Sequence, residues 1–350
     1  MTSNSNKSNP ICLSKKRIHN SNYKQKIENN INVCYDIKSD ETLKKILNNT
    51  YGNYLGNNLG NNTISHTLYP YCGEELKAPG TLNKVNTSKI SKDVINILQD
   101  TLKMDIVINN YIDETKNTYS STHNAELFYN FLKEDIKATN NDKLIVSHSK
   151  LMRKFLKYVK TLLETDENIS YNIPTCDEKI IFDNLDIMML RYENKDDNVS
   201  LLGVDIIRWK NKDNKYYDFS NVNERNHTNV VYLMRHCIGC HNIEGKNPIG
   251  LYKKTMISGF GRYAFCLPII IDELKNEPLT QLKNLLQKFT GDWQKNNKLT
   301  FGSSIIFRAI LTNSIIQHML LGNFDVDSYE NKEKKEEKYD LIRKNKIIFI

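Results

Sequence analysis

The sequence lacks the features that mark exported, membrane-spanning or disulfide-rich proteins. The N-terminal stretch MTSNSNKSNPICLSKKRIHN contains no apolar run long enough for a signal peptide. The longest apolar run, around Ala264–Ile271, is far too short to span a bilayer. The seven cysteines are odd in number and irregularly spaced, which favours reduced thiols over a disulfide framework. We therefore expect a cytoplasmic protein with no membrane partner.

The sequence also has few hydrophobic residues and no concentrated positive charge. Hydrophobic residues make up 39% of the chain, below the usual globular share, which predicts that part of it is unfolded. The formal net charge of +8 is modest for 350 residues and suits anionic ligands, above all phosphorylated ones. No basic stripe interleaved with aromatic residues indicates a nucleic-acid surface. We expect a small phosphorylated substrate or a phosphopeptide as the partner, and no specific nucleic acid.

Composition divides the chain into three parts. Residues 1–62 are rich in Asn, Ser, Lys and Gly, which predicts a disordered tail. Residues 323–350 carry a charge run and end in the apolar tetrapeptide IIFI, a candidate edge strand. Between them, over 63–322, strand patterns alternate with helix patterns, which indicates an α/β layered fold. The polar stretch 211–229 is predicted to be a linker within this region.

Hydrophobic periodicity predicts the individual elements. The predicted strands are 65–71, 143–148, 178–193, 199–209, 230–236 and 299–304. The predicted helices are 87–104, 123–139, 149–164, 277–293 and 307–320. The predicted strands 143–148 and 230–236 contain the uninterrupted apolar runs LIV and VVYLM, as expected of central parallel strands that are covered on both faces.

The segment RHCIGCHN (235–242) is compatible with two chemistries. Cys237, Cys240 and His241 have the CxxCH spacing of c-type haem attachment. That attachment follows export, and nothing in the sequence directs export. A zinc site is also disfavoured, because no second CxxC or HxxxH pair completes a set of four ligands. The Arg-His pair and the asparagine seven residues later indicate instead a phosphate-handling site.

Four short motifs follow predicted strands, at the edge where ligands of open α/β sheets collect. They are LMRH (233–236), GSSIIFRAILT (302–312), VSHSKLMR (146–153) and PYCGE (70–74). Together these motifs resemble the histidine phosphatase superfamily, which includes the cofactor-dependent phosphoglycerate mutases. The family's Arg-His-Gly and later asparagine correspond to Arg235, His236 and Asn242, with Cys237 in the glycine position. The remaining matches are Ser303, Ser304, Arg308, Ala309 and Thr312, then Glu74, then Val-Ser-His at 146–148.

The order of the motifs differs from that of the family, which implies a circular permutation. Residues 63–210 would be the later half, 211–229 the linker and 230–322 the earlier half. The resemblance implies a three-layer α/β/α sandwich with a mostly parallel central sheet. Because HTLYPY and IIFI both fit one strand at the new chain ends, that strand is split or duplicated, or the halves pair across a homodimer. Within one sheet, we expect His148 and His236 to converge.

The resemblance also implies an activity and a role for each matched residue. The expected enzyme is a phosphatase without metal or cofactor, in which the neutral imidazole of His236 attacks phosphorus. The expected phosphate-binding residues are Arg235, Arg308, His148 and Asn242. Glu74, or its neighbour Glu75, would protonate the leaving oxygen. Ser303 and Ser304 are predicted to be structural. The alternatives are a non-catalytic phosphate-binding or interaction protein and, less favoured, a phosphomutase or a c-type haem protein.

Overall fold

The computed structural model of the chain describes residues 64–68, 104–108, 121–165, 170–172, 182–196, 198–208, 227–237, 274, 277–296, 298–304 and 307–322. The strands within these ranges are β1 (Ile64–Leu68), β2 (Met104–Ile108), β3 (Asp142–Ser147), β4 (Ser170–Asn172), β5 (Ile187–Lys195), β6 (Asn198–Ile207), β7 (Asn229–Arg235) and β8 (Leu299–Ser303). The helices are α1 (Ser121–Thr139), α2 (Ser149–Thr165), α3 (Glu277–Thr290), α4 (Trp293–Asn296) and α5 (Phe307–Leu320).

All the described strands belong to one mixed sheet. Their order across the sheet is β2-β1-β8-β3-β7-β5-β6-β4. The β7–β5 and β5–β6 pairs are antiparallel, and the other neighbouring strands are parallel. The α/β class that the alternating patterns predict is therefore confirmed.

The centre of the sheet combines strands from both predicted halves. β3 lies between β8 and β7, and it is parallel to both. Its register with β7 runs from Lys143 opposite Val231 to Ser147 opposite Arg235. The expectation that strands 143–148 and 230–236 pair in parallel is confirmed, and the pairing occurs within one chain.

The apolar sequence of β7 explains its central position. Val231 and Leu233 belong to the core cluster that also contains buried side chains of α1 and α2. The residue between them, Tyr232, is fully buried too, and its hydroxyl lies 2.9 Å from Thr290 Oγ1 at the end of α3. Alternate residues of β7 thus contact different helices, which is why the strand is apolar throughout.

Helices α1 and α2 pack together through aromatic side chains. Phe128 of α1 is fully buried, and its ring meets that of Phe155 in α2 edge to face, with 5.2 Å between centroids. Complete burial of one such side chain contributes roughly 1.5–3 kcal/mol. Helix α2 begins at Ser149, directly after β3, and buries Met152, Phe155, Leu156 and Val159 at helical spacing. This packing holds the start of α2 against the end of β3.

The structure differs from the sequence-based expectations at several element boundaries. The helix expected over 277–293 ends at Thr290, because Gly291 takes a positive φ of 77° and terminates it. Met104, expected to end a helix, begins β2, and the strand β4 was not predicted. The predictions for 1–62, for 87–103, for the linker up to residue 226 and for 323–350 lie outside the described residues.

None of the helices in the described ranges is both long enough and apolar enough to cross a membrane.

Candidate functional site

Two buried histidines meet where the central strands β3 and β7 end. His148 and His236 follow Ser147 and Arg235, which form the last registered pair of these parallel strands. Their ring centroids are 5.0 Å apart, and the rings are tilted by 58°. Both side chains are almost fully buried, with 1% and 2% of their surface exposed. The expectation that the two imidazoles converge is confirmed.

The main chain and ring of His236 are held by several hydrogen bonds. Its backbone N–H donates to the Ser147 carbonyl at 2.9 Å, and its own carbonyl accepts from Asn184 Nδ2 at 2.7 Å. Ring atom Nδ1 lies 2.5 Å from the Cys237 carbonyl oxygen. Because a carbonyl can only accept, Nδ1 carries a proton, and in a neutral ring Nε2 would carry the lone pair. Nε2 would then be the basic atom of the ring.

Ser304 connects the third central strand, β8, to the histidine pair. Its hydroxyl lies 2.9 Å from His148 Nε2, and both groups are buried. Its backbone N–H donates to the Val146 carbonyl at 2.9 Å, which continues the ladder between β8 and β3. Ser303 ends β8, as expected of a structural residue. The contact between Ser304 and His148 was not predicted from the sequence.

Two helix N-termini point to the same edge of the sheet. Helix α2 begins one residue after His148, and α5 begins three residues after Ser304. Neither of these two helices has an acidic side chain in its first turn. Each N-terminus carries a partial positive charge of about +0.5, and its N–H groups suit anion binding. Arg308 is the second residue of α5, so its backbone lies at this edge too. The arrangement favours a bound anion.

Arg235 is half-buried and ends β7, directly before His236. Its Nη1 donates to the Phe182 carbonyl at 2.7 Å, so part of the guanidinium group binds the segment that precedes β5. Its positive charge acts on the nearby carboxyl group of Asp186. Arg235 thus joins the histidine pair to a turn that the sequence analysis did not identify.

That turn comprises residues 182–186 and lies against the end of β7. The Leu185 N–H donates to the Arg235 carbonyl, and the Arg235 N–H donates to the Asp186 carbonyl. Leu185 has a positive φ of 67°, a conformation that costs a residue with a Cβ roughly 1–2 kcal/mol. Such strain persists only where the surrounding contacts impose it, and it is common near functional sites.

Asp186 is the acidic group of this turn. Burial raises the pKa of its carboxyl group from 3.8 to about 8, although the positive charges of Arg208 and Arg235 oppose the shift. Asp183 adds to the rise through its negative charge. Arg208 Nε lies 3.4 Å from Asp186 Oδ2, and the Asp183 N–H donates to the same oxygen at 2.6 Å. The sequence FDNLD (182–186) contains Asp and Asn residues, which are common in turns. The apolar residues around them have the spacing of a strand, so the turn could not be recognised from the sequence.

Cys237 occupies the position where the superfamily that the motifs resemble has glycine. Its side chain is buried, and its Sγ lies 3.1 Å from Thr312 Oγ1 of α5. The same hydroxyl accepts from the Cys237 backbone N–H at 3.3 Å. Attachment of haem through this thiol would require its contact with α5 to open. No group of three or more His, Cys, Asp or Glu side chains in the described part of the chain could hold a metal ion.

The structure brings together part of the predicted site. His148, His236 and Arg235 meet at one edge of the sheet, and Ser304 and Thr312 hold them there. Asn242 and both candidate acids, Glu74 and Glu75, lie outside the described residues, as do Cys240 and His241.

A scan against protein-family models found no match, and the searches of curated proteins and of solved structures found none either.

Proposed function

We propose that this protein is a phosphomonoester phosphatase that works through a phosphohistidine at His236. The observation that carries the proposal is the approach of two buried imidazoles, 5.0 Å between centroids, at the edge where α2 and α5 begin. One of these rings presents Nε2 as its basic atom, and the other is held by Ser304. A nucleophile beside a cationic, anion-attracting edge is what phosphoryl transfer requires.

The proposed reaction has two steps at one phosphorus atom. First, His236 Nε2 attacks, a nitrogen–phosphorus bond forms, and the bond from phosphorus to the ester oxygen breaks. The leaving oxygen takes a proton from a carboxylic acid, for which Glu74 is the candidate and Glu75 the alternative. In the second step the resulting carboxylate takes a proton from water, the water oxygen bonds to phosphorus, and the nitrogen–phosphorus bond breaks, which releases inorganic phosphate and regenerates the imidazole. His148, Arg235, Arg308 and Asn242 are proposed to stabilise the phosphoryl charge through both steps.

The same proposal covers the finer description of the fold. A three-layer α/β/α sandwich is supported by β7, because Val231 and Leu233 belong to the core cluster of α1 and α2, whereas Tyr232 between them lies against Thr290 of α3. A mostly parallel sheet of the histidine phosphatase superfamily in permuted order is supported by the position of β3 between β8 and β7. The substrate is a small phosphate ester or a phosphopeptide, and the reduced cysteines favour the cytoplasm.

The test combines turnover with detection of the intermediate. The full chain is assayed against a panel of phosphate monoesters, with release of inorganic phosphate as the measurement. A rapid quench in base, where phosphohistidine survives, is followed by intact-mass analysis and then by digestion and peptide mass analysis. We expect hydrolysis of at least one ester and a mass increase of one phosphoryl group on the peptide that contains His236.

Other outcomes would reassign the protein. If inorganic phosphate raises the melting temperature but no ester is hydrolysed, the protein is a non-catalytic phosphate-binding protein. If the phosphoryl group passes to a second position of the substrate and not to water, it is a mutase. If phosphate neither binds nor is released from any ester, the proposed function is wrong.

A further inference from the structure

The peptide group that follows His236 is held at both of its ends. Its carbonyl oxygen, which belongs to His236, accepts from Asn184 Nδ2 at 2.7 Å. Its N–H, which belongs to Cys237, donates to Thr312 Oγ1 at 3.3 Å. A peptide group is planar, so two opposed hydrogen bonds fix its rotation about the chain. One bond comes from the turn before β5 and the other from α5.

The orientation of this peptide group determines where the His236 ring can lie. It restricts ψ of His236 and φ of Cys237, and these angles, together with ψ of Cys237, determine where the Cys237 carbonyl lies that accepts from ring atom Nδ1. The Cys237 side chain is also anchored, because its Sγ contacts the same Thr312 hydroxyl. Release of the peptide group would therefore free the ring to rotate and to exchange its tautomer.

Asn184 is itself fixed by the turn around it. The next residue, Leu185, donates to the Arg235 carbonyl, and Asp186 accepts from the Arg235 N–H. The Asp183 N–H donates to the Asp186 carboxyl group, which closes the turn. The positive φ of Leu185 is the strain that this closed turn imposes. The turn thus presents the Asn184 amide to the His236 carbonyl as a rigid donor.

We propose that Asn184 is a positioning residue for His236: with Thr312 it fixes the intervening peptide group, so that the imidazole keeps its Nδ1–H tautomer and its direction. The effect on the ring does not depend on the proposed function. Only its catalytic consequence, that Nε2 stays directed at phosphorus, rests on that function. Asn184 touches neither the phosphoryl group nor the leaving oxygen in this scheme.

The first measurement is independent of catalysis. Protein labelled with ¹⁵N in histidine is studied by long-range ¹H–¹⁵N NMR, which reports which ring nitrogen carries the proton. We expect the Nδ1–H form of His236 in the wild type and a mixture of tautomers in Asn184→Ala. Asn184→Asp replaces the amide donor by an oxygen at the same position, so it should give the same mixture of tautomers as Asn184→Ala. Asn198→Ala, an exposed asparagine at the start of β6, is the matched control and should give the wild-type spectrum.

The second measurement separates positioning from binding. In Asn184→Ala we expect the rate of phosphohistidine formation to fall on the order of a hundredfold, since misplacement of a reacting group by about 1 Å has that effect. The Kd for inorganic phosphate should stay close to the wild-type value, because the proposed phosphate-binding groups are unchanged. Thr312→Val should reproduce the slow phosphorylation, and Thr312→Ser, which keeps the hydroxyl, should restore it.

The outcomes distinguish this inference from the proposed function. A wild-type His236 spectrum in Asn184→Ala overturns the positioning role, whatever the activity. If Asn184→Ala does not fold, the positioning role is tested by comparing the His236 spectra of Thr312→Val and Thr312→Ser. A wild-type spectrum in Thr312→Val then overturns the proposal. A wild type that hydrolyses no ester contradicts the proposed function alone, because the ring spectra still test the positioning.

Discussion

The two ends of the central strands β3 and β7 bury polar groups of opposite character. At the amino-terminal end, Asp142 Oδ1 accepts from the Val230 N–H at 3.0 Å, which joins the two strands where they begin. Burial raises the pKa of the Asp142 carboxyl group, and the Thr290 side chain at the end of α3 opposes that rise. At the carboxyl-terminal end, two imidazoles face each other beside Ser304. On the strands themselves, the amino-terminal end buries an acid that joins β3 to β7. The carboxyl-terminal end is followed by two buried imidazoles, and the buried acid near them, Asp186, belongs to the adjoining turn.

The polarity of the helices explains this difference. Helix α1 ends at Thr139, shortly before β3 begins, whereas α2 starts directly after β3 ends. In a chain of alternating strands and helices, one edge of the sheet collects the positive N-termini of helices. Cationic side chains and an anionic ligand fit together only at that edge. The comparison therefore separates residues expected to act on a ligand from residues expected to act on stability.

The sharpest test compares histidines from the two ends. His236→Ala should abolish turnover and leave the fold intact, because no other group replaces a covalent nucleophile. His227→Ala is the matched control. Its Nε2 donates to the Phe289 carbonyl at 2.8 Å, at the amino-terminal end of β7. The measurement is phosphate release, with circular dichroism as the check on folding.

The nucleophile assignment fails if His236→Ala keeps a tenth or more of the wild-type rate. The comparison of the two ends fails if His227→Ala, while folded, loses as much activity as His236→Ala.

A smaller loss is expected at the second imidazole. His148→Ala should lower kcat on the order of 10²–10³-fold, the usual cost of removing one group that stabilises charge in a transition state. The Kd for inorganic phosphate should also rise. The control is His148→Gln, whose side-chain amide can still bond to the Ser304 hydroxyl, and it should retain more activity than His148→Ala. Equal activity of His148→Ala and wild type would remove His148 from the site.

Asp142→Ala should lower the free energy of unfolding and leave the catalytic rate unchanged. The substitution leaves the buried Val230 N–H without its acceptor, which costs about 1–3 kcal/mol. Urea unfolding measures this cost, and activity per folded molecule should not change. Asp142→Asn keeps an oxygen that can accept the same N–H, so it should destabilise the protein less. If Asp142→Ala impaired kcat in the folded protein, the two ends would not be functionally separate.

Much of the central sheet was predictable because its pattern is local. The run KLIVSH predicted 143–148, and the strand is Asp142–Ser147; VVYLMRH predicted 230–236, and the strand is Asn229–Arg235. Uniformly apolar runs bounded by polar residues leave little freedom for a buried strand. The three-residue strand Ser170–Asn172 has no such pattern and was missed.

Only those residues of the candidate site that directly follow a recognisable strand could be predicted from the sequence. Both histidines could be placed because they directly follow apolar strands. The bond between His148 and Ser304 joins residues 156 positions apart and depends on the β3–β8 register, which no local pattern gives. The turn that carries Asn184 was included in a predicted strand over 178–193, because Phe182, Leu185 and Ile187 continue the apolar spacing. Local sequence patterns therefore predict neither the register between distant strands nor the geometry of this turn.

The two buried acids, Asp186 and Asp142, should make the stability of the protein depend on pH. In the unfolded chain the Asp186 carboxyl group titrates near 3.8, and in the folded protein its pKa is about 8. Between these values the folded state holds a proton that the unfolded state has lost, so stability falls as the pH rises through this window. Burial also raises the pKa of Asp142, so this acid contributes with the same sign.

We therefore expect the wild type to lose about 1 kcal/mol of unfolding free energy from Asp186 alone between pH 7 and pH 8. Asp186→Asn cannot titrate and should flatten the slope in this interval, and the amide should make the protein more stable than wild type at pH 8. Asp142→Asn, measured in parallel by urea unfolding, reports the contribution of the acid at the opposite end. An unchanged slope in Asp186→Asn, or a loss of stability at pH 8, would mean that Arg208 and Arg235 keep the Asp186 carboxylate ionised. The cationic end of the strands would then contain a permanent ion-pair network, and less of the charge of Arg235 would remain for a phosphoryl group.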